Sequence, residues 1–324
     1  MKVVLAGEGA IARQHAAVID RIDGVEIASL AGGEAPDTGR FATEHGIPHW
    51  SLDLDECLAR RDIDAVVLAT PTPLHADQAM RALRAGKHTL VEIPMADNIA
   101  DASTLVRTAE ASGRVAMVCH TRRFNPSHQW IHDRVAAGEL QIQHLVVSTF
   151  FLRRENRNAR GQARSWTDHL LWHHACHTVD LFAHQTGEVP VAAWALQGAP
   201  HPQLGIAMDM SIGLANPSGA ICTLALSFNH DGPFGTTFRY ISDRGTYVAH
   251  YDELLDGNGA PVDLSGIGPS RDGIELQDRE FFSAIDENRQ PEASVADCLP
   301  TMTTLDRLEA SLGRAAPGGA HAKS

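Results

Sequence analysis

Histidines and carboxylates are concentrated between residues 168 and 180, at spacings that suit proton transfer. His173 and His177 are four residues apart and Asp180 follows three later, so a helix here would carry all three on one face. The unperturbed pKa of an imidazole, near ~6.5, suits it to take the proton of a hydroxyl whose carbon gives up hydride. A carboxylate on the other ring nitrogen, from Asp180 or Asp168, would fix the tautomer. The segment therefore predicts a general base on a helix.

The same histidines allow two other interpretations. A pair four residues apart beside carboxylates can bind Zn²⁺, as in the HExxH motif, but His174 stands where that motif needs its hydrolytic Glu. The pair could also be satisfied inside a packed helix without a ligand, although burying polar rings is costly. We expect no metal ion, and we leave open which of His173 and His177 accepts the proton.

Arginines that could hold anionic groups occur in two places. Arg122 and Arg123 follow the last predicted strand of the first domain, where a substrate would lie between the two domains, and a guanidinium can grip a carboxylate with two parallel N–H bonds. Farther along, arginines are dense for an acidic chain, at Arg153, Arg154, Arg157, Arg160 and Arg164. We expect most of this second group in a solvated loop, with Arg164 as the exception because residues 165–168 join it to the histidine helix.

These cations predict a pocket for a small dicarboxylate. Trp166 or Trp172 would form an aromatic wall for a flat ring, and Asp168 lies in the same segment. A dicarboxylate substrate would explain why an acidic chain concentrates arginines here.

A glycine-rich turn, Gly7-Glu8-Gly9-Ala10-Ile11-Ala12, directly follows the first predicted strand and opens a helix. Gly7 allows a tight turn, Gly9 lets the backbone approach a pyrophosphate, and Ala12 permits close helix packing, while the helix N-terminus offers unpaired N–H groups. Two further loops follow predicted parallel strands and reach the same edge of the sheet. The expected cofactor-binding residues are Gly7, Gly9, Ala10, Ile11, Ala12, Thr70, Pro71, Thr72, His75, Glu92 and Pro94.

The end of the second strand does not decide between NAD and NADP. An acid there would bind a ribose 2′-hydroxyl, whereas Arg or Ser would tolerate a 2′-phosphate. Here the chain reads Ser-Leu-Ala-Gly-Gly-Glu over residues 29–34, so Glu34 lies past the expected place. Arg13 and Arg40 could reach a phosphate from neighbouring loops. The predicted cofactor is therefore NADP or NAD.

The elements that position these residues predict an α/β protein of two domains. Residues 1–119 alternate short apolar strands with amphipathic helices, which is typical of a Rossmann domain with a doubly wound parallel sheet. Residues 120–312 carry longer alternating strands that favour an open, mainly antiparallel sheet, interrupted by the histidine helix and followed by a helix over residues 273–288. We expect residues 313–324 to be a disordered tail.

Composition restricts the class of protein. The 324 residues carry 27 Lys and Arg against 40 Asp and Glu, a net charge of −13, which disfavours nucleic acid or an anionic membrane as a partner. The five cysteines are far apart and form no CxxC pair, and neither a leader nor a membrane span is evident, so we expect a cytoplasmic protein. An open sheet with one uncovered face suggests a homodimer or a higher homo-oligomer.

Several of these segments resemble a known family. GEGAIA, TPTPLH, AGKHTLVEIP and residues 173–180 are similar to the oxidoreductases that include glucose-fructose oxidoreductase and inositol dehydrogenase. In that family the fifth strand ends in Glu-Lys-Pro with a lysine that assists proton transfer, but Ile93 occupies the lysine position here. His177 and Asp180 match the family's catalytic His and the Asp that follows it, while His173 replaces an earlier Asp. The resemblance therefore implies His177 as the proton acceptor.

Residues 119–130, 164–183, 204–212, 219–233 and 273–281 resemble one branch of the family more narrowly. That likeness implies NAD(P)-dependent oxidation of the cyclic hemiacetal of a carboxylated muconate semialdehyde to 2-pyrone-4,6-dicarboxylate, in bacterial protocatechuate 4,5-cleavage. One alternative is a dehydrogenase of the same fold acting on another carboxylated hydroxy compound or a sugar, or a glycosidase that uses the cofactor transiently. Two further alternatives are a metal hydrolase and a non-catalytic dinucleotide sensor.

Overall fold

The computed structural model describes residues 1–157, 161–164 and 166–314. Arg160, in the arginine-dense segment, lies outside the described residues. The first domain is a six-stranded parallel sheet in the order β3-β2-β1-β4-β5-β6, which confirms the predicted Rossmann fold. Its strands are β1 (Lys2–Ala6), β2 (Glu26–Ala31), β3 (Trp50–Ser51), β4 (Ala65–Leu68), β5 (His88–Val91) and β6 (Ala116–Val118).

Five helices cover this sheet: α1 (Ala10–Ile19), α2 (Ala35–Glu44), α3 (Leu54–Leu58), α4 (His75–Arg84) and α5 (Ile99–Ser112). Capping residues of common types mark the ends of these helices. Asn98 caps α5 by accepting a hydrogen bond from the backbone N–H of Asp101, and Gly113 ends it with φ of +62°. Apolar residues fill β1 and β4 on both faces, as a sheet covered by helices requires. The sequence analysis did not predict α2, α3 or β3.

The second domain contains a seven-stranded sheet in the order β13-β12-β11-β7-β10-β9-β8. Its strands are β7 (Ile142–Phe150), β8 (Ala192–Gln197), β9 (Asp209–Ala215), β10 (Ile221–Ser227), β11 (Gly235–Ser242), β12 (Gly245–His250) and β13 (Glu253–Asp256). The sheet is mainly antiparallel, as predicted. The central pair, β7 and β10, is parallel. Alternating hydrophobicity shows which face of a strand is buried, and does not reveal the direction of its neighbour.

The helices of this half are α6 (Pro126–Ala136), α7 (Cys176–Thr186), α8 (Gly273–Asp286) and α9 (Val295–Arg314). A π-helical turn, Leu170–Ala175, leads directly into α7. α9 packs against α5 of the first domain as well as α7 and β8, so it joins the two domains. It continues two residues past the predicted boundary at residue 312, and the rest of the expected tail, 315–324, lies outside the described residues.

One face of the second sheet is open at its β8 edge. Trp194 and Leu196 on β8 are 49% and 59% exposed, and Ile221 on β10 is 42% exposed. The registers of β8 with β9 and of β9 with β10 place these three side chains on the same face. Among the described helices, none combines the length and apolar character needed to cross a membrane.

Candidate active site

The turn between β1 and α1 has the backbone shape that a pyrophosphate needs. Gly7 has φ of +107°, and a Cβ there would lie 2.3 Å from the carbonyl oxygen of Ala69. At Gly9 a Cβ would have no neighbour within 4 Å, so this side of the turn is open. The first turn of α1 carries no acidic residue and no side-chain cap, which leaves its N–H groups available to an anion. The residues present therefore fit the phosphates of a dinucleotide.

A buried histidine joins the loops that follow β4 and β5. Nδ1 of His75 lies 2.9 Å from the carbonyl oxygen of Pro94, and Nε2 lies 2.8 Å from that of Thr70. The residue is only 1% exposed, so neither nitrogen is left for a ligand. The ring of His75 therefore braces these two loops, and its expected contact with the cofactor stays a prediction.

Glu92, just after β5, belongs to a mostly buried ion cluster. Its Oε1 lies 3.1 Å from Nε2 of His15, whose Nδ1 lies 2.7 Å from Asp278. His15 and Asp278 are completely buried, while Glu92 is partly exposed. Burial alone would lower the pKa of His15, but Asp278 and Glu92 raise it to about 10, so the ring is a cation at neutral pH. This imidazolium holds the Glu92 carboxylate in place and joins α1 to α8.

His177, in the first turn of α7, lies beside the segment that follows β6. Its ring meets that of His120 edge to face, with the ring centres 6.5 Å apart. Its Nδ1 is shielded from solvent and has no hydrogen-bond partner among the described residues. Burial and the nearby charges of Arg122 and His120 hold the pKa of His177 well below its usual value. The ring is therefore neutral and able to accept a proton.

Arg123 binds Asp180, and in the described part of the chain no hydrogen bond joins Asp180 to His177. Its carboxylate accepts hydrogen bonds of 2.8 and 2.6 Å from Arg123 and one of 3.1 Å from Thr301. Nδ1 of His120 lies 3.4 Å from the same carboxylate without hydrogen-bond geometry. Burial alone would raise the pKa of Asp180, but Arg123 and His120 hold it below its usual range. His120 thus lies between Asp180 and His177, and Arg123 is paired with Asp180, while its expected role in binding substrate stays a prediction.

Arg122 is the junction arginine without an acidic partner. Among the described residues, no carboxylate lies within 4.0 Å of its guanidinium group. One Nη donates to Asn125 at 3.1 Å, while Nε is shielded from solvent without a partner in that part of the chain. The guanidinium carbon lies 4.7 Å from the centre of the Tyr251 ring and 6.0 Å from that of Phe238. An unpaired cation whose charge affects His177 is suited to bind a carboxylate.

Tyr251 has a backbone conformation that is rare for a residue with a side chain. It lies in the turn between β12 and β13 with φ of +51°. Its carbonyl oxygen accepts a hydrogen bond from Ser127, and the next residue, Asp252, accepts one of 2.6 Å from Asn125. Such a conformation costs on the order of 1–3 kcal/mol and persists only where the surroundings hold it. Here α6 and its first residues hold the turn, which keeps the aromatic ring against Arg122.

Asp168 is bound by two arginines and one histidine. Both Nη atoms of Arg153 donate to it, Arg164 donates at 2.9 Å, and Nε2 of His174 lies 3.2 Å away. Burial alone would raise the pKa of Asp168, but His174 and Arg153 hold it far below its usual range. Arg164 thus shares the single charge of Asp168 with Arg153, and its guanidinium carbon lies 5.3 Å from the centre of a Trp166 ring. Arg164 and Asp168 therefore contact each other, and their expected role in holding substrate stays a prediction.

His173 lies in the π-helical turn, and its surroundings differ from those of His177. Its ring is stacked on Trp166 with centres 5.7 Å apart, and its Nδ1 accepts a hydrogen bond of 3.1 Å from the backbone of His169. Burial, with His169 next, lowers the pKa of His173 to about 3. His177 and Asp180 are three residues apart in the regular helix α7, whereas His173 lies in the π turn, which closes over five residues instead of four. The predicted common face therefore does not include His173.

Two groups of three side chains in the described residues bring possible metal ligands within 4.8 Å of one another. They are His15 with Glu92 and Cys119, and His120 with Asp180 and Cys298. In each group the acidic or imidazole members already bind other side chains, since His15 is bound by Asp278 and Asp180 by Arg123. Neither group includes His173 or His177, the pair whose spacing resembles the HExxH motif.

Sequence reasoning missed four residues of this site. His120, Tyr251, His15 and Asp278 are brought to it by tertiary contacts, for example over 263 positions between His15 and Asp278. Only His120 had a usable signal, because it directly follows β6 and precedes Arg122 at the edge where ligands bind. Tyr251 lies in a turn whose left-handed conformation nothing in its residue type indicates.

Two family models match the chain. Residues 1–120 match the oxidoreductase family with an NAD-binding Rossmann fold that includes glucose-fructose oxidoreductase and inositol dehydrogenase. Residues 126–268 match the C-terminal domain of bacterial oxidoreductases. Both matches agree with the resemblance drawn from the motifs.

Among known proteins, 4-carboxy-2-hydroxymuconate-6-semialdehyde dehydrogenase of Sphingobium sp. strain SYK-6 is 55% identical over 312 residues, which is 96% of this chain and 99% of the relative. Aldose-aldose oxidoreductase of Caulobacter crescentus has a similar fold, with a TM-score of 0.84 at 20% identity over 97% of this chain and 98% of the other. An oxidoreductase of Agrobacterium radiobacter solved with NAD⁺, L-tartaric acid and magnesium has a TM-score of 0.80 at 18% identity over 97% and 96%. This chain is an NAD(P)-dependent dehydrogenase, and it belongs to the oxidoreductase family of glucose-fructose oxidoreductase and inositol dehydrogenase.

Proposed function

We propose that this enzyme oxidises the cyclic hemiacetal of 4-carboxy-2-hydroxymuconate-6-semialdehyde to 2-pyrone-4,6-dicarboxylate. The identity with the Sphingobium enzyme over nearly the whole chain supports this substrate. In the structure, the observation that carries the proposal is that Arg122, near a neutral His177, has no carboxylate within 4.0 Å among the residues described. A local cation next to a base suits a carboxylated hydroxy compound, and it is needed because the whole chain carries a charge of −13.

Arg122 binds one substrate carboxylate in this proposal. A charge-assisted hydrogen bond contributes about 1.5–3 kcal/mol, and a guanidinium can supply two in one plane. The Tyr251 ring lies against the guanidinium and favours that plane. Arg122 also lowers the pKa of His177, so a bound carboxylate that neutralises Arg122 would make His177 a stronger base. Substrate binding would thereby prepare the proton acceptor.

His177 takes the hydroxyl proton of the hemiacetal, and the C–O bond becomes a carbonyl as hydride leaves the same carbon. The nicotinamide ring, when bound, supplies the acceptor for that hydride. His120 orients His177, and Arg123 and Asp180 in turn keep His120 in place. His173, neutral and stacked on Trp166, offers a flat surface to the substrate ring.

Initial rates on the ring-cleavage product of protocatechuate test this function directly. With NAD⁺ or NADP⁺ present, loss of the muconate chromophore should match formation of reduced nicotinamide one to one. If the enzyme did not oxidise this compound but oxidised another carboxylated hydroxy compound or a sugar from a panel, the proposed substrate would be wrong. The chain would still be a dehydrogenase. Dinucleotide binding without turnover on any compound would instead favour a sensor.

We also propose that the enzyme is a cytoplasmic homo-oligomer whose interface is the open face of the second sheet. Trp194, Leu196 and Ile221 share that face, and an apolar patch of this kind is typical of an interface between subunits. A second copy of the chain is the occupant because the face continues to an unpaired edge at β8, which two copies can cover symmetrically. The five cysteines are buried free thiols, which suits a reducing compartment.

A further inference from the structure

Three arginines line a cleft between α4 and α5. The cleft has a volume of about 500 Å³, in the range of a small-molecule site, and Arg84, Arg107, Arg114, Thr104 and Thr108 are among its residues. The turns after α4 and α5 lead into the amino ends of the parallel strands β5 and β6. The cofactor-binding loops of such a sheet lie at the carboxyl ends of its strands, so this cleft is at the opposite edge of the first domain.

The three guanidinium groups come from different parts of the chain. Arg84 is the last residue of α4, Arg107 lies within α5, and Arg114 follows the end of α5. A Cβ at Gly86 would lie 3.8 Å from an Nη atom of Arg114, so this guanidinium lies over the turn that ends α4. Arg107 donates a hydrogen bond of 2.9 Å to the hydroxyl of Thr104, one turn earlier on the same helix. The packing of α4 against α5 thus brings the three cations to one cleft.

In the parts of the chain that the structure describes, none of these three arginines has a carboxylate within 4.0 Å. Arg81, one turn before Arg84 on the same helix, is by contrast ion-paired with Asp55 at 2.7 Å and with Asp77 at 3.4 Å. The whole chain has 27 basic and 40 acidic side chains, so composition does not explain why the described residues place no acidic partner beside these three groups. Because like charges repel each other, an anion shared by the three guanidinium groups would stabilise this arrangement.

The ends of the two helices account for only part of this positive charge. A cation near a helix C-terminus is favoured by the helix dipole, and Arg84 and Arg114 both lie at such an end. The dipole is equivalent to roughly half an elementary charge, so two helix ends balance about one of the three cations. Arg107 lies more than one turn before the end of α5. The remaining charge is therefore available to an anion.

We propose that this cleft binds a small anion with two or more charged oxygen groups, of the phosphate or carboxylate class. Guanidinium groups bind both classes through parallel N–H···O bonds, and three of them around one cleft favour a multivalent anion over a single charge. Because the cleft and the candidate active site lie at opposite edges of the first domain, the anion, the dinucleotide and the substrate can be bound at the same time. The inference is independent of the proposed substrate.

Isothermal titration calorimetry of the full chain tests this inference, with inorganic pyrophosphate and citrate as probes. The protein is first saturated with NADH or NADPH, so that pyrophosphate cannot occupy the dinucleotide site. At low ionic strength, where exposed charges are least screened, at least one probe should bind with about one equivalent per chain. Pyrophosphate binding alone would identify a phosphate ligand, citrate binding alone a carboxylate ligand, and binding of both the chemistry that they share. If neither probe bound, the inference would be wrong.

Arg84→Gln combined with Arg114→Gln should weaken binding of the probe roughly tenfold or more, because it removes two of the three charges. Thr104→Val keeps every charge but removes the hydroxyl that holds Arg107, and it should weaken binding roughly twofold or more. An unchanged dissociation constant in either variant would mean that the anion binds elsewhere, for example at the active site, and would overturn the inference.

Arg244→Gln combined with Arg271→Gln is the matched control, because it also removes two charges, from exposed arginines of the second domain. This control should bind the probe as the wild type does. An equal loss of affinity in the control and in the cleft variant would mean that the anion responds only to the net charge of the protein, and the inference would then be wrong.

Discussion

Arg122 and Arg123 are adjacent in the chain, yet one is ion-paired and the other is not. Arg123 donates two hydrogen bonds to the buried carboxylate of Asp180, while Arg122 lies over the Tyr251 ring with no carboxylate within 4.0 Å among the described residues. The two side chains leave the short helical turn after β6 in different directions. Substitutions of the two arginines are therefore expected to have different effects on the protein.

Arg122→Met should weaken substrate binding. The loss of one or two charge-assisted hydrogen bonds, about 1.5–3 kcal/mol, corresponds to roughly a 10- to 150-fold rise in KM for the semialdehyde. The dissociation constant of NADH should change less than twofold. Steady-state rates and cofactor titration check both quantities, with Arg107→Met on the exposed side of α5 as a control arginine. An unchanged KM would remove Arg122 from substrate binding.

Arg123→Met should destabilise the protein. It leaves the Asp180 carboxylate buried without its partner, which typically costs about 3–5 kcal/mol. The midpoint of urea unfolding should fall clearly below that of Arg122→Met, measured side by side. If Arg123→Met instead kept full stability and raised KM selectively, the assignment of the two arginines would have to be exchanged.

His177→Asn should lower kcat by roughly 10²-fold or more, because it removes the proton acceptor. NADH binding should be retained, which separates loss of chemistry from loss of fold. His120→Asn should have a smaller effect on kcat and should shift the pH dependence of kcat, since His120 acts through His177. Turnover that survives in His177→Asn at the wild-type rate would show that another group takes the proton.

The cluster of His15, Asp278 and Glu92 should make stability depend on alkaline pH. The pKa of His15 is raised to about 10 in the folded protein, above its unfolded value, so its stabilising effect is complete below pH ~6.5 and is lost as pH rises through about 10. The urea midpoint of the wild type should therefore fall between pH 7 and pH 9.5. His15→Gln should be less stable at pH 7 by about 3 kcal/mol and should lose less on the same change of pH.

All other groups that titrate in this range are common to both proteins, so the difference between wild type and His15→Gln isolates the histidine. Parallel pH curves for the two proteins would mean that His15 is neutral in the folded state.

Leu196→Glu places a charge on the open face of the second sheet and should dissociate the oligomer. Light scattering after size-exclusion chromatography would then give the mass of a single chain, 34.9 kDa, instead of a multiple of it. Glu139→Gln, an exposed change next to the end of α6, is the control for altered surface charge. A wild type that is already monomeric at micromolar concentration would contradict the proposed interface.

Local rules were enough to predict the Rossmann half of the fold. The Gly7-to-Ala12 turn and the strands apolar on both faces each depend on a few neighbouring residues. The motifs also led to the family and to His177, because chemistry at a strand end or in a helix turn leaves a short pattern in the chain. α2 and α3 were missed, since α2 contains glycine and proline and α3 has only five residues.

By itself, then, the sequence determined the fold class and the cofactor turn, and it predicted the reactive segment. Only the tertiary structure decided which charged groups are free, because ion pairing joins residues that are distant in the chain. Asp180 is bound by Arg123 over 57 positions and His15 by Asp278 over 263, while Arg122 has no carboxylate within 4.0 Å in the part of the chain that the structure describes. The sequence does not show whether an arginine is paired. Whether its guanidinium group can bind a substrate depends on the charges around it in the folded protein.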